Sequence, residues 1–460
     1  MGRRGRGRAG RRGREGRARA GGRAGGVRRV SLLYAFYGDD FTGSTDVLEQ
    51  LAEGGVPSVL FLRAPDAALR ARFADVRAIG IAGDSRSRSP AWMDAHLPAA
   101  FGALGEAAIV HYKTCSTFDS SPDIGSIGRA LDIGLRRFEA RAAILVGAPH
   151  LRRYVAFGNL FAAAGEEVYR IDRHPTMSRH PVTPMHEPDL IRHLGAQTDA
   201  RIALVSLEAI RAGRAGEAFD AAEADAVLFD GLSMDDLAAT GGVLTGRGVR
   251  FAVGSSGVTR ALVLAWRAAG RIAQAPAEAR AAEADRLLVV SGSCSPVTAR
   301  QIARAPASGF AAIAADVGAL LEGSSAEVAR LADAALAGLA HGRRAVIHSA
   351  EGPLDPAAPA AGEKLGEALG RIALDVVRRA GLKRLLFAGG DTSSHGVAQL
   401  GIDALTWAAA IERGAPLVRA HAEDPAIDGL ELVLKGGQMG GEDFFEAVRQ
   451  GRSAPLADAP

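Results

Sequence analysis

Residues 31–55 read SLLYAFYGDDFTGSTDVLEQLAEGG. The first eight are mostly apolar and aromatic and predict a buried strand. The stretch after Gly43 carries Val47, Leu48 and Leu51 at helical spacing and predicts an amphipathic helix. A strand that ends in a polar turn and passes at once into a helix is the opening βα unit of a parallel sheet. The turn itself places two carboxylates, Asp39 and Asp40, side by side, followed by Thr42 and Gly43. One acid is accounted for as a helix cap, because a side-chain oxygen there accepts from the exposed N–H groups of the first turn. The second acid needs another reason.

The same alternation recurs along the chain. VRAIGIAG (76–83), AAIVHYK (107–113), AAILVGA (142–148), ARIALVSL (200–207), DAVLFDG (225–231) and RFAVGSSG (250–257) read as strands, most of them followed by helical patterns such as IGRALDIGLRRFEA. An Ala-rich, charged stretch without a strand follows, and the pattern restarts with RLLVVSGSCS, GFAAIAADV, RRAVIHSA, KRLLFAGGDTSS and LELVLKGGQMGG. The expected fold is α/β in two domains, each a mostly parallel sheet with helices on both faces, with the active site in the cleft between them. The expected divisions are an Arg/Gly-rich tail at 1–29, a first domain at 30–267, a linker at 268–285 and a second domain at 286–455.

Composition sets limits on function. Residues 1–30 hold 12 Arg and one Glu, a charge of +11, so the net +3 of the 460-residue chain leaves the rest at 3 − 11 = −8. The tail has too little apolar content to fold and is expected to be disordered. Its arginines could neutralise phosphates, but the acidic body disfavours a nucleic-acid partner. No window approaches 18 consecutive apolar residues, so no membrane span is expected. Two widely separated cysteines, Cys115 and Cys294, argue against a disulfide framework and fit a cytoplasmic protein. Only four of the 55 basic residues are Lys, and two of those, Lys113 and Lys435, sit in polar glycine-rich turns. Ammonium and guanidinium differ in size and hydration, so this placement points to function.

Ligands of open α/β sheets bind at the carboxyl ends of strands, which is where the polar turns fall. In the first half, Asp39, Asp40 and Thr42, then Arg86 in GDSRSR (83–88), then Lys113, Ser116, Thr117 and Asp119 in HYKTCSTFDSS (111–121) combine acids, hydroxyls and cations. That set suits a small polyhydroxylated acid, and a carboxylate there can take a proton from an attacking hydroxyl. In the second half, SGSCSPVT (291–298), AGGDTSSHG (388–396) and LKGGQMGG (434–441) are rich in Gly and Ser/Thr. Glycines let backbone N–H groups approach an anion, and a following helix N-terminus adds positive potential, so nucleotide phosphates are the expected ligand. Neither G-x-x-x-x-G-K-[ST] nor a helix-opening G-x-G-x-x-G appears, which argues against a P-loop NTPase and a dinucleotide dehydrogenase. Asp391 is a candidate for Mg²⁺ through water or for a helix cap. His174, His180 and His186 lie six residues apart in a proline-rich stretch, which is not a metal-ligand pattern. That 171–190 segment is read as a contributor to a substrate pocket or to a homodimer contact, and GSSG (254–257) as a further turn on the same cleft.

Taken in order, YGDDFTGSTDVLEQLAEGG, YKTCSTFDSS, HPVTPMHEPDL, GSSG, SGSCSPVT, GGDTSS and LKGGQMGGEDFFEA resemble the four-carbon acid sugar kinase family, from about residue 33 to 450. The resemblance implies an N-terminal domain for the acid sugar, a C-terminal domain for ATP with Mg²⁺, and phosphorylation at the 4-position. Substrate motifs then fall on Asp39 and Asp40 as catalytic residues and on Thr42, Arg86, Lys113, Ser116, Thr117 and Asp119. Nucleotide motifs fall on Ser293, Ser295, Gly389, Gly390, Asp391, Thr392, Lys435, Gly436, Gly437 and Gly440, and no metal ligand is assigned. The expected substrate is a 3-oxo-tetronate. The loop SSPDIGSIG and the turn KGGQMGG depart from the pattern usual in kinases of that acid, which brings in the branched acid 3-oxo-isoapionate as the alternative. A sugar-acid-binding regulator without catalysis is the alternative of another class.

Overall fold

A computed structural model describes residues 31–180, 182–273, 280–349 and 359–453. The expected disordered tail (1–29) lies outside them, as does the side chain of Asp391. In the first half, strands β1 (Tyr34–Gly38), β2 (Ser58–Phe61), β3 (Ala78–Ala82), β4 (Ile109–Lys113) and β5 (Ala142–Leu145) are followed by a small meander of β6 (Arg153–Ala156), β7 (Asn159–Ala164) and β8 (Glu167–Arg170). Then come β9 (Ile202–Val205), β10 (Ala226–Phe229) and β11 (Phe251–Gly254). The second half holds β12 (Leu287–Ser291), β13 (Ala311–Ala314), β14 (Arg344–His348), β15 (Arg384–Ala388), β16 (Ile402–Glu412), β17 (Ala415–Ala422) and β18 (Glu431–Lys435).

Both halves are parallel α/β sheets. They are joined edge to edge into one sheet ordered β13-β14-β12-β15-β18-β17-β16-β2-β3-β1-β4-β11-β5-β10-β9, with the β6-β7-β8 meander separate. The joint is the antiparallel β16–β17 hairpin, whose β16 pairs antiparallel with β2 through Ala404–Phe61 and Leu405–Leu60, while β17 pairs antiparallel with β18. Three antiparallel pairings in succession reverse the strand direction between β2 and β18. Strand-to-strand twist of about 20–25° over the six steps from β1 to β15 adds up to roughly 120–150° and offsets most of that reversal in strand direction.

Burial explains the strand sequences. β1, β4, β12 and β15 are buried at every position, as strands covered on both faces must be, and β1 and β12 read as nearly unbroken apolar runs. Packing between the halves runs through helix α1 (Phe41–Glu53), which touches β16, β17, β18 and the Gly390–Ala398 helix. No helix among the described residues is long and apolar enough to cross a membrane.

Candidate active site

α1 begins at the carboxyl end of β1. Asp40 is its N-cap: Gly43 N donates to Asp40 Oδ1 at 2.5 Å. The other oxygen of Asp40 accepts from Arg86 Nη1 at 2.8 Å. Arg86 is held in the loop after β3 by its own backbone N–H, which donates to the Asp39 carbonyl at 3.0 Å. Its second guanidinium nitrogen reaches both oxygens of Asp119, at 3.0 and 2.9 Å. Thr117 Oγ1 and Thr183 Oγ1 also donate to Asp119, at 2.5 and 2.9 Å. Burial opposes the charge on Asp119, but Arg86 and these donors outweigh it and hold the carboxyl below its ordinary range. The turn that points Thr117 and Asp119 inward passes through Phe118, fully buried at φ 55°, a conformation sparsely used by non-glycine residues and concentrated at functional sites.

Asp39 differs from its neighbour. It is 4% exposed, and its Oδ1 is buried without a hydrogen-bond partner. Burial, reinforced by the adjacent charge of Asp40, pushes its carboxyl up to about 8, against the pull of Arg86 and Lys113. Lys113, also buried, ends β4 beside α1: a Cβ added to Gly43 would lie 2.7 Å from its ammonium. A side chain at 43 would have to displace the Lys113 ammonium and the Asp40 carboxylate, 2.5 Å from the same Cβ. Thr42 and Ser116 are half-buried on the same rim.

The structure thus brings six of the eight sugar-side candidates into one hydrogen-bonded or touching group. It also turns Arg86 inward onto two carboxylates, so its charge is largely spent within the protein, and both Arg86 and Lys113 act on Asp39, whose backbone N–H donates to the Lys113 carbonyl at 2.9 Å. The 171–190 segment supplies Thr183, whose backbone N–H donates to His180 Nδ1 at 3.1 Å. Sequence reasoning quoted that segment but missed Thr183, because its partner Asp119 lies 64 residues away.

In the second half the three glycine-rich loops converge. A Cβ at Gly437 would lie 2.7 Å from Ser293 Oγ and 2.8 Å from Ser295 Cβ, and one at Gly292 would overlap Thr392 Oγ1. Ser295 caps the Pro296–Arg304 helix through Val297 N. Gly389, at φ 116°, starts the Gly390–Ala398 helix with no side chain capping it, and a Cβ at the exposed Gly390 would meet nothing within 4 Å. That arrangement leaves helix N–H groups open to an anion. Gly436 follows β18, and Gly440, at φ 79°, packs on Phe444. Lys435 is turned inward, fully buried. Its ammonium donates to Thr298 Oγ1 at 2.9 Å, and burial draws its pKa down to about 8. Thr298 in turn donates to the Gly437 carbonyl at 2.8 Å, while Gln301 Nε2 reaches the carbonyls of Met439, Gly440 and Gly441. Lys435, Thr298 and Gln301 fix the shape of the third loop. Sequence reasoning missed Thr298 and Gln301, although Thr298 lies inside the quoted SGSCSPVT.

Serine and threonine hydroxyls and open N–H groups are a donor set for phosphate oxygens, and they fit a triphosphate. Among the described residues no group of three or more His, Cys, Asp or Glu side chains is placed to hold a metal ion.

Residues 34–262 match the model of a sugar-binding N-terminal domain, and residues 288–445 that of a nucleotide-binding C-terminal domain. The chain is 46% identical over 451 residues to a 3-oxo-isoapionate kinase of Paraburkholderia graminis, an alignment covering 92% of this chain and 96% of the relative. It is 31% identical over 435 residues to a 3-oxo-tetronate kinase of Methylobacterium radiotolerans, covering 90% and 98%. The solved structure of a Salmonella typhimurium LT2 protein, provisionally named a tRNA synthase, superposes with a TM-score of 0.76 at 25% identity over 92% of this chain and all of that one. A Haemophilus influenzae protein shares the fold with a TM-score of 0.69 at 24% identity, over 90% and 99%.

Proposed function

The chain belongs to the four-carbon acid sugar kinase family, and on that premise we propose that it phosphorylates a hydroxyl of a branched acid sugar, 3-oxo-isoapionate, at the expense of ATP. The 46% identity to a kinase of that acid, against 31% to a kinase of 3-oxo-tetronate, puts the branched acid ahead of the linear one. The proposed division of labour gives the acid sugar to residues 30–267 and the nucleotide to residues 286–455.

The observation that carries this reading is Asp39. It is a buried carboxyl with a free oxygen and a raised pKa, beside Lys113, at the start of a helix that packs directly on the Gly390–Ala398 helix of the nucleotide side. Asp39 takes the proton of the attacking hydroxyl as its oxygen bonds to the terminal phosphorus and the bridging P–O bond to ADP breaks. Lys113 holds the substrate carboxylate. Asp40, with both oxygens engaged, is a positioning residue that fixes α1 against Arg86 and Asp119. Ser293, Ser295, Gly390, Thr392 and Gly437 cradle the phosphates, with Lys435 shaping the loop from behind. ATP would supply the phosphoryl group, and Mg²⁺ bound with it would offset developing charge, with the loop hydroxyls and Asp391 as the residues that would hold it through water.

The test is ADP release by the purified protein over a panel of 3-oxo-isoapionate, 3-oxo-tetronates, erythronate and threonate. Turnover on one of these acids, highest on the branched one, is expected. Binding of an acid without ADP release would make the protein a sugar-acid-binding regulator instead.

A further inference from the structure

The face of α1 that begins at Gly43 continues through Asp46, Gln50 and Glu53, at the i, i+3, i+4 spacing of one helical stripe. Gly43 abuts Lys113, and Asp46 sits about 4.5 Å further along the axis at 1.5 Å per residue. Asp46 and Gln50 are 8% and 1% exposed, and in each a carboxylate or amide oxygen (Asp46 Oδ1, Gln50 Oε1) is buried with no hydrogen-bond partner. Two further elements bring orphans to the same region. His150, in the turn after β5, has both ring nitrogens buried and unpartnered, and Ser256, in the first turn of the Ser256–Ala268 helix that packs on α1, has a fully buried Oγ without a partner.

Buried polar atoms are almost always paired, because leaving one unpaired forfeits its hydration without return. Five such atoms on three adjoining elements, with the unpartnered Arg260 Nε on the last of them, mark a buried polar site to be filled by water or by ligand hydroxyls. Their chemistry is mixed. The Asp46 and Gln50 oxygens accept, the Ser256 hydroxyl does both, and burial keeps His150 neutral, its pKa drawn down to about 4, with one nitrogen donating and one accepting. Alternating donors and acceptors of this kind suit hydroxyl groups, which also do both.

The second half closes over the region. At the tip of the β16–β17 hairpin, Arg413 Nη1 donates to the His150 carbonyl at 3.1 Å, and Gly414 N donates to the buried Glu49 Oε2 at 2.7 Å. Arg260 is spanned to Glu53 at 3.3 Å, so the cluster is walled by the hairpin on one side and by that ion pair on another.

We propose that Asp46, Gln50, His150 and Ser256 form a hydroxyl-binding subsite that extends the acid-sugar pocket along α1 and selects a hydroxyl-bearing branch of the substrate. This rests on the kinase reading. The hydroxyl of the branch, with one donor and two acceptor positions, pairs with up to three of these atoms, and the linear acid lacks it. His150, read through Arg413, also makes that choice sensitive to the seating of the nucleotide half.

The experiment compares kcat/KM for 3-oxo-isoapionate and for a linear 3-oxo-tetronate in the wild type and in Ser256→Ala, Asp46→Asn and His150→Asn, with apo unfolding temperatures alongside. The ratio of branched to linear kcat/KM is expected to fall at least tenfold in each variant, mainly through KM for the acid. Ser256→Ala, which removes only an orphan hydroxyl, is expected to hold or raise the apo unfolding temperature, a result no purely structural role would give. A wild type active on an acid, with the ratio unchanged in Ser256→Ala and in whichever of the other two folds, overturns the subsite alone. A wild type that phosphorylates neither acid overturns the kinase reading and the subsite with it.

Discussion

Arg86 donates to Asp40 Oδ2 at 2.8 Å while the helix N-terminus occupies Asp40 Oδ1, so the second of the paired acids is spent on structure and the first is left free. Replacing Asp39 by Asn should therefore lower kcat by roughly 10²–10⁴, the scale of a lost general base, with little change in the KM for ATP. Asp40→Asn, which still caps a helix, should cost less in kcat than Asp39→Asn. Steady-state ADP release on both variants measures the difference, and equal losses would return Asp40 to the chemistry.

The raised pKa of Asp39 fixes the direction of the pH dependence. A base must be ionised, so kcat/KM should climb as pH rises through about 8, and Asp39→Asn should lose that limb. Stability moves the opposite way. The folded protein keeps a proton that the unfolded chain releases near the ordinary value of 3.8, so the contribution of this group is intact below that value and is lost as pH rises through about 8. Thermal unfolding should accordingly show Asp39→Asn gaining on the wild type between pH 5 and pH 9.

Arg86 is the sole cation joining Asp40 and Asp119 among the ion pairs of the described residues. Arg86→Met leaves a fully buried Asp119 carboxylate unpaired, which should cost about 3–5 kcal/mol. Arg86→Lys keeps the charge without the two-pronged geometry and should fall between. Denaturant titration checks the order.

Gly437→Ala drives a methyl group to within 2.7 Å of Ser293 Oγ. The KM for ATP should rise tenfold or more while the KM for the acid sugar stays within about twofold. If both constants rose together, the loop would serve folding and not the nucleotide.

The parallel cores were legible because doubly covered strands such as β1 and β12 read as unbroken apolar runs. The hairpin that joins the halves was not. LTWAAAIE in β16 is rich in alanine, the strongest helix former, and takes its strand state from pairing with β17 and β2, a tertiary effect. β2 is four residues long, too short for a period to show. At the site, the residue types of Asp39, Arg86, Lys113 and Asp119 could be read from their turns. Which acid was structural could not, because Arg86 meets Asp40 and Asp119 across 46 and 33 residues. Asp46 and Gln50 carried one signal that went unread: polar residues in line on a helix face that the fold had to bury.

At the strand joint the two halves meet through main-chain bonds: two residue pairs between β2 and β16, with Leu62 N donating to the Asp403 carbonyl at 3.1 Å, while the side chains of α1 and the Arg63 and Arg72 ion pairs to Asp403 pack around it. Backbone bonds place almost no demand on side-chain identity. The strand joint therefore tolerates sequence drift in either lobe, whereas Glu49, His150 and the hairpin tip at Arg413 and Gly414 must change in concert.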